Sequence, residues 1–221
     1  MTVETLSPPT ASSIRRGPPI PGLEPEWLVR LNVDQYAAMI PAGVIAEGAP
    51  IELLNGIMRW KNRAAAGEPI MTIGKRHVIT VNELTKLLTI VLQHARCFVQ
   101  SQSPISLSQI DEPEPDVCVV AGSPRDERKR HATPDEILLI VEVADSSLQY
   151  DRGEKRDAYA VAGVPEYWIV NLIERHVEVY RQPDPGTGKY LDRVDHGLGD
   201  TVSFSLADDE IYTIAIDQFL A

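Results

Sequence analysis

The sequence has few of the features that are typical of secreted proteins, of membrane-spanning proteins or of proteins that bind nucleic acid over their whole surface. Only two cysteines, Cys97 and Cys118, occur in 221 residues. They have neither metal-ligand spacing nor a disulfide framework, so we interpret them as small core residues. No apolar run approaches the roughly 18 residues that span a bilayer, and Met1 to Pro25 has no signal-peptide-like apolar region. We therefore expect a cytoplasmic protein with no membrane partner.

Positive charge is also scarce. The formal net charge is -11, which argues against a surface that attracts nucleic acid everywhere, although it leaves room for a local basic site. The apolar fraction of 43% is typical of a globular chain. Residues 1–25 are rich in Ser, Thr and Pro and are expected to form a flexible arm. Residues 26–221 are then predicted to form a single domain.

The chain is organised around a predicted strand, helix and strand. Ile137 to Val143 is a nearly continuous apolar run rich in Ile and Val, which favours a strand buried on both faces. A helix is predicted from about Asp151 to Ala162, because Gly163 and a following proline end it. Glu166 to Asn171 is predicted as the second strand. Together these elements predict a right-handed βαβ crossover.

The flanking sequence predicts further elements and two polar loops. Asn32 is a candidate cap for a short helix at Val33 to Ile40, and Asn55-Gly56 predicts a tight hairpin turn between strands. An apolar period predicts a long helix from His77 to about Gln93. The loops are predicted at Lys61 to Gly74 and Arg125 to His131. The remaining predicted strands are Cys97 to Gln102, Asp116 to Ala121, Val177 to Tyr180, Tyr190 to Val194 and Ile211 to Ile216.

The predicted elements place three charged residues where their side chains can meet. Asp116 begins one predicted strand, Glu142 lies near the end of another, and Lys155 faces inward on the helix that follows. Buried charges need partners, so we expect all three in one cleft. A hard divalent ion held by the acids, with the lysine activating water, would suit phosphodiester hydrolysis. A structural ion pair between Lys155 and Glu142 is the alternative.

Two other residues have open interpretations. Glu52 lies on the first hairpin strand, where it is either an exposed edge carboxylate or an acid that approaches the same cleft. His77 is either a partly exposed histidine at the start of its helix or a member of the site.

Longer motifs give the chain a family resemblance. They are PEPDVCVV at Pro113 to Val120 and VEVADSSLQYDRGEKRDAYAVAGVPEYWIV at Val141 to Val170. The chain resembles the Uma2 family (DUF820) of restriction-endonuclease-like proteins in the PD-(D/E)XK nuclease superfamily. The similarity extends from about Leu31 to about Tyr180.

This resemblance implies an α/β restriction endonuclease-like core, a mixed β-sheet flanked by helices, with an additional N-terminal hairpin. Asp116 and Glu142 match the two acids of the family motif. The superfamily's lysine normally lies two residues after the second acid, where this chain has Ala144. Lys155 occupies the matching place on the following helix. Three more residues match positions of the family pattern. Glu52 would be a third metal ligand, and His77 and Gln102 are candidates for accessory residues of the active site.

The implied function is a Mg²⁺-dependent DNA endonuclease that hydrolyses phosphodiester bonds, with Mn²⁺ as a substitute ion. Asp116 and Glu142 would hold the ion, and Lys155 would orient or activate water. The alternative is a catalytically inactive nuclease-fold protein that binds nucleic acid or protein, or forms a homodimer. The overall acidity gives weight to that alternative. The sequence also has no signal for sequence-specific cutting, because no separate recognition domain or basic helix stands out.

Overall fold

The structure is a computed structural model that describes residues 28–61, 74–125, 130–206 and 210–220. The expected N-terminal arm and most of the two predicted polar loops lie outside these ranges. Within them, no helix has the length and apolar character needed to cross a membrane.

A β-hairpin near the start of the described chain contains strands β1 (Ile51–Leu54) and β2 (Ile57–Trp60), which pair antiparallel. Its turn is the predicted Asn55-Gly56 pair, with φ angles of 53° and 71°. Both residues therefore adopt the positive φ that a tight two-residue turn requires. The turn fixes the register of the hairpin and so the direction in which Glu52 points.

Helix α1 (Val33–Met39) begins after the predicted cap residue Asn32, whose side chain accepts a backbone hydrogen bond. Helix α2 (Lys75–Val91) is the predicted long helix. Its apolar residues recur at helical spacing, so one face packs against the sheet. The buried residues of α2 are Thr80, Val81, Leu84 and Leu88.

A six-stranded sheet forms the centre of the molecule. Its strands are β3 (Cys97–Ser101), β4 (Val117–Ala121), β5 (Ile137–Ala144), β6 (Glu166–Asn171), β7 (His176–Asp184) and β8 (Lys189–Gly197), in that spatial order. Strands β5 and β6 run parallel, and the other adjacent pairs are antiparallel. Short 3-10 turns lie at Pro134–Glu136 and Ile216–Gln218. The prediction of an α/β fold with a mixed sheet flanked by helices is confirmed.

The parallel pair is joined by a helical crossover with three parts. These are α3 (Leu148–Tyr150), a π-helical segment (Asp151–Lys155) and α4 (Arg156–Ala162). Gly163 ends the helix in the left-handed conformation at φ 78°, as predicted. The predicted start at Asp151 was three residues too late, because the first turn already closes on the carbonyl oxygen of Ser147.

Each face of the sheet is covered by its own apolar core. One core joins α2 and C-terminal residues such as Val202 and Phe204 to the odd-numbered residues of β5, which include Val141 and Val143. The other joins α4 to the even-numbered residues and includes Ile140 and Ala144. Because side chains alternate along a strand, Glu142 shares the α4 side with Ile140 and Ala144.

The C-terminal strands differ in extent from the prediction. Strands β7 and β8 are longer than the apolar runs that indicated them, because backbone pairing continues through polar, exposed positions. Strand β9 (Thr201–Ser205) was missed, since Val202 and Phe204 are its only apolar residues. It pairs with β10 (Ile211–Ala215) as a separate two-stranded sheet.

Candidate active site

Two acids, Asp116 and Glu142, lie side by side at one end of the central strands. The antiparallel register pairs Val117 with Val141, so the next position outward on each strand carries one of these acids. Asp116 is 8% exposed and Glu142 is 3% exposed. The Asp116 Oδ2 atom also accepts a 2.8 Å hydrogen bond from the backbone N–H of Val143. Strand register thus joins two residues that are 26 positions apart in the sequence.

Lys155 projects from the π-helical segment onto Glu142. Its Nζ atom donates a 2.9 Å hydrogen bond to Oε1 of Glu142 and lies 3.3 Å from Oε2 of Glu52. The hydroxyl of Tyr159 donates a 2.7 Å hydrogen bond to the same Glu142 oxygen. The lysine is 4% exposed, so it reaches the acids from within the protein rather than from solvent.

The π-helical segment also directs Asp151 inward. Asp151 is buried, and its Oδ2 atom accepts a 2.6 Å hydrogen bond from the Ser147 hydroxyl. Tyr167 on β6 donates to the Asp151 carbonyl oxygen at 3.1 Å. Single π-helical turns inside helices are frequently found at functional sites. Here the turn places Asp151 and Lys155 together on the side that faces the sheet.

The hairpin supplies Glu52. Its side chain is 2% exposed and accepts a 3.2 Å hydrogen bond from the backbone N–H of Glu114. The interpretation of Glu52 as an exposed edge carboxylate is therefore wrong. The hairpin folds over the end of the sheet and buries its acid beside Lys155.

His77 and Gln102 reach Asp116 in different ways. The Nε2 atom of His77 lies 3.1 Å from Oδ2 of Asp116. Its Nδ1 atom is buried and has no hydrogen-bond partner among the described residues. Gln102 has an exposed side chain, and only its backbone N–H bonds to Asp116, at the carbonyl oxygen (3.1 Å). His77 therefore lies in the site, whereas the side chain of Gln102 lies at its border.

The pKa values of the buried acids shift in different directions. Burial, together with the nearby acids Asp116, Asp151 and Glu52, raises the pKa of the Glu142 carboxyl to about 8 against the opposing charge of Lys155. Burial likewise raises the pKa of Asp151 to about 6. For Asp116, burial is outweighed by the hydrogen bond and charge of His77, so its pKa is lowered. The site thus contains one acid held ionised and two that readily take up protons.

Contacts with the acids raise the pKa of both cationic groups, Lys155 and His77. Burial opposes the charge of Lys155, but Glu142, Glu52 and Asp151 outweigh it and raise its pKa well above the ordinary value. Burial also opposes the charge of His77, and the contact with Asp116 reverses that effect, so the pKa of His77 is raised.

The donor set fits a hard divalent ion in chemistry and in charge. Its four buried carboxylates are opposed by one lysine and one histidine, which leaves surplus negative charge when the acids are ionised. The buried acids are Glu52, Asp116, Glu142 and Asp151. Mg²⁺ is typically bound through one or two carboxylates and keeps several waters. Across the described ranges, no three His, Cys, Asp or Glu side chains are already grouped as metal ligands. The fit is therefore to an ion held by carboxylate oxygens together with retained water.

Sequence reasoning did not assign to the site two buried residues that contact or adjoin these acids, Asp151 and Tyr159. The signal was present, because both share the helical face that carries Lys155. Neither could be assigned from the family motif alone. The π-helical form of the turn from Asp151 to Lys155 is the part that 3.6-residue periodicity does not anticipate.

Comparisons with known proteins agree with this fold. A model of the Uma2 family, described as "Putative restriction endonuclease", matches residues 58–210. The structure is similar to the crystal structure of "a putative nuclease belonging to DUF820" from Anabaena variabilis. The TM-score is 0.61 at 16% sequence identity, and the match covers 86% of this chain and 97% of that chain. No curated protein matches the chain. The family match spans Asp116, Glu142 and Lys155 but begins after Glu52.

Proposed function

The chain belongs to the Uma2 family, and we propose that it is a Mg²⁺-dependent endonuclease that hydrolyses phosphodiester bonds of DNA. The observation that carries the proposal is the contact of buried Lys155 with Glu142 in a cluster of buried side chains that also includes Asp116 and Glu52. Metal-assisted hydrolysis needs carboxylate oxygens for the ion and a nearby group that handles the proton of water. These residue types are all present within one site.

Each residue has a separate role in this proposal. Asp116 and Glu142 would hold the ion, with Glu52 as a third oxygen ligand. The bound ion would supply stabilisation of the negative charge that develops on the phosphoryl oxygens. Lys155, which the neighbouring acids keep protonated, would orient the attacking water and stabilise the hydroxide that forms, while the proton of the water passes to solvent. Attack forms a new P–O bond and breaks the bond to the leaving sugar oxygen, which takes up a proton.

His77 has a positioning role in the same site. Its Nε2 atom contacts the Asp116 oxygen that also accepts the backbone hydrogen bond from Val143. Both contacts restrict the orientation of the Asp116 carboxylate. A partner that orients a metal-binding acid commonly affects metal affinity as well.

A second function is favoured by two observations. Lys155 already bonds Glu142, and the described residues contain no preassembled three-ligand metal set. These features also fit a nuclease fold that binds nucleic acid or protein without cleaving it. In that case the ion pair would serve stability alone.

The test compares cleavage with stability in the full chain. Wild type, Lys155→Ala and the control Lys86→Ala are incubated with supercoiled plasmid and with single-stranded DNA, in Mg²⁺, Mn²⁺ or EDTA. Lys86 is a suitable control because it is an exposed lysine paired with Glu83. We expect wild type and Lys86→Ala to nick DNA only with metal, and Lys155→Ala to be slower by about two orders of magnitude or more.

Thermal unfolding of the same proteins separates the two functions. A wild type that cuts neither form of DNA, together with a Lys155→Ala variant that only unfolds earlier, would contradict the nuclease proposal. Cleavage that is lost in Lys155→Ala at temperatures where the variant remains folded would support it.

A further inference from the structure

Arg59 on β2 lies at the edge of the candidate site. Its Nη2 atom is 2.6 Å from Oε1 of Glu154. Its guanidinium carbon lies 4.6 Å from the centroid of the Tyr150 ring, and the Nζ atom of Lys155 lies 5.8 Å from the same centroid. One aromatic ring therefore has both cations near it. The Arg59 side chain is 37% exposed, so it can be reached from solvent, unlike Lys155.

Two polar atoms at this position are unsatisfied. Among the residues that the structure describes, the Nε atom of Arg59 and the hydroxyl of Tyr150 are buried without a hydrogen-bond partner. Buried polar atoms are rarely left unpaired, because each loses its bonds to water. Arginine can only donate, and a tyrosine hydroxyl can donate as well as accept. A ligand that satisfies both must therefore present acceptor oxygens.

The charge around these atoms restricts the chemical class of ligand that could bind here. Arg59 supplies the positive charge that solvent can reach, because Lys155 is buried against Glu142 and Glu52. An arginine fork suits the oxygens of phosphate. Glu154 presently satisfies one end of the Arg59 guanidinium. A phosphodiester has negative charge and only acceptor oxygens on its phosphate, so it matches both the open donors and the cations.

We propose that Arg59 and Tyr150 form a subsite for a backbone phosphate of the nucleic acid, beside Lys155, and that Glu154 holds Arg59 until the substrate displaces it. This subsite rests on the proposed nuclease function and names a further substrate contact for it. Arg59 would exchange its carboxylate partner for a phosphate oxygen and use its open Nε–H for a second bond. The Tyr150 hydroxyl would donate the third.

A purely structural role for the same contacts makes opposite predictions. If the Arg59 to Glu154 ion pair only fastens the hairpin to the helix, removing either partner should have the same effect on the protein. If Glu154 competes with phosphate for Arg59, removing Glu154 should strengthen DNA binding, whereas removing Arg59 should weaken it.

The experiment measures binding of a fluorescently labelled 20-base-pair duplex by anisotropy. Ca²⁺, which also takes oxygen ligands, replaces Mg²⁺, and a gel checks that the probe stays intact. We expect Arg59→Ala to weaken binding about tenfold and to reduce the salt-dependence slope by about one. Glu154→Gln should strengthen binding about threefold in wild type but not in the Arg59→Ala background, since the double-mutant cycle isolates their coupling.

Three further variants control for local stability and for general charge. Tyr150→Phe keeps the ring but removes the unsatisfied hydroxyl, so binding should weaken about threefold while the unfolding midpoint does not fall. Arg130 and Glu136 form a comparable surface ion pair at 2.8 Å. They adjoin the start of β5, about 20 Å along the strand from Glu142. Arg130→Ala and Glu136→Gln should change affinity less than twofold.

Several results would overturn the subsite. They are unchanged affinity in Arg59→Ala, equal weakening by Arg59→Ala and Glu154→Gln, and an equal effect of Arg130→Ala. Cleavage by wild type with unchanged affinity in Arg59→Ala would reject the subsite and leave the nuclease intact. Binding that depends on Arg59, without cleavage under any metal condition, would support the subsite and contradict the nuclease.

Discussion

The Nζ atom of Lys155 lies 2.9 Å from Oε1 of Glu142, and both side chains are buried. The protein brings them together through a strand and the π-helical segment of the following crossover. This contact couples two properties. The lysine keeps its charge because of the acids, and the acids are crowded enough to bind protons or a metal ion. Experiments on the site must therefore measure stability and chemistry in the same samples.

The first prediction concerns metal binding by the folded state. Mn²⁺ should raise the unfolding midpoint of wild type, because a ligand at 100 times its dissociation constant adds about 2.7 kcal/mol of stability. Asp116→Asn should lose most of this increase, since it removes a ligand charge. Differential scanning calorimetry with and without Mn²⁺ measures the effect. Asp34→Asn, at an exposed position in α1, should keep the full increase; a wild type that does not respond to Mn²⁺ would contradict the metal site.

The second prediction is that the protein in EDTA is more stable at pH 5.5 than at pH 8.5. Burial raises the pKa of Glu142 to about 8 and of Asp151 to about 6. The folded state therefore binds more protons than the unfolded state over this range, and stability falls as the pH rises. The raised pKa of His77 acts in the same direction. The lowered pKa of Asp116 acts below about pH 4 and does not interfere.

The expected size of this pH effect is about 3 to 10 °C in the unfolding midpoint. Glu142→Gln cannot titrate at that position and should flatten the profile. Mn²⁺ should restore stability at pH 8.5, where the ionised acids become ligands. A wild-type profile that is flat or rises between these pH values would show that the acids are not protonated in the folded state.

The core of the fold was predictable because local signals agreed with tertiary packing. The apolar run at Ile137 to Val143 gave the buried strand, and Asn55-Gly56 gave the hairpin turn. Strand β9 was missed because two apolar residues in five do not distinguish a strand from a loop. Antiparallel pairing there is stabilised by backbone hydrogen bonds and by burial of alternate residues, which only the partner strand makes evident.

The candidate site was partly predictable for a similar reason. A charged residue in an apolar context, such as Glu142, implies a partner, so the sequence indicated that a cluster exists. Which residues complete it depends on strand register and on the π-helical segment. Arg59 and Tyr150 were not anticipated, because the hairpin folds over the site and brings them together from elements far apart in the chain.

The third prediction assigns Glu52 to the metal site. Glu52→Gln should weaken Mn²⁺ binding by about tenfold, comparable to the loss of other residues that tune a metal centre. Isothermal titration calorimetry gives the affinity. Glu114→Gln is the matched control, because its carboxylate pairs with Lys61 rather than with Lys155. Unchanged Mn²⁺ affinity in Glu52→Gln would mean that Glu52 contacts Lys155 but does not bind the metal.

The last prediction concerns the anchor of the π-helical segment. Arg152 donates from Nε to Oε1 of Glu178 on β7 at 2.8 Å, and Glu178 is fully buried. Burial opposes the charge of Glu178, but the bonds from Arg152 and Tyr180 outweigh it and lower its pKa. Arg152→Ala should cost about 2 to 3 kcal/mol at pH 7, because it removes charge-assisted bonds from a buried carboxylate.

This loss should shrink towards pH 4. A lowered pKa contributes stability above the ordinary value of 4.5 that disappears as the pH falls through the folded-state pKa. Denaturant unfolding at pH 7 and pH 4 measures the difference between wild type and Arg152→Ala. Arg193→Ala is the control, because Arg193 also approaches Glu178, at 3.3 Å, but lies on β8. If the anchor positions Lys155, Arg152→Ala should lower the cleavage rate of the folded protein, whereas Arg193→Ala should not. Equal losses of activity in both variants would mean that the charge near Glu178, and not the attachment of the π-helical segment, controls the site.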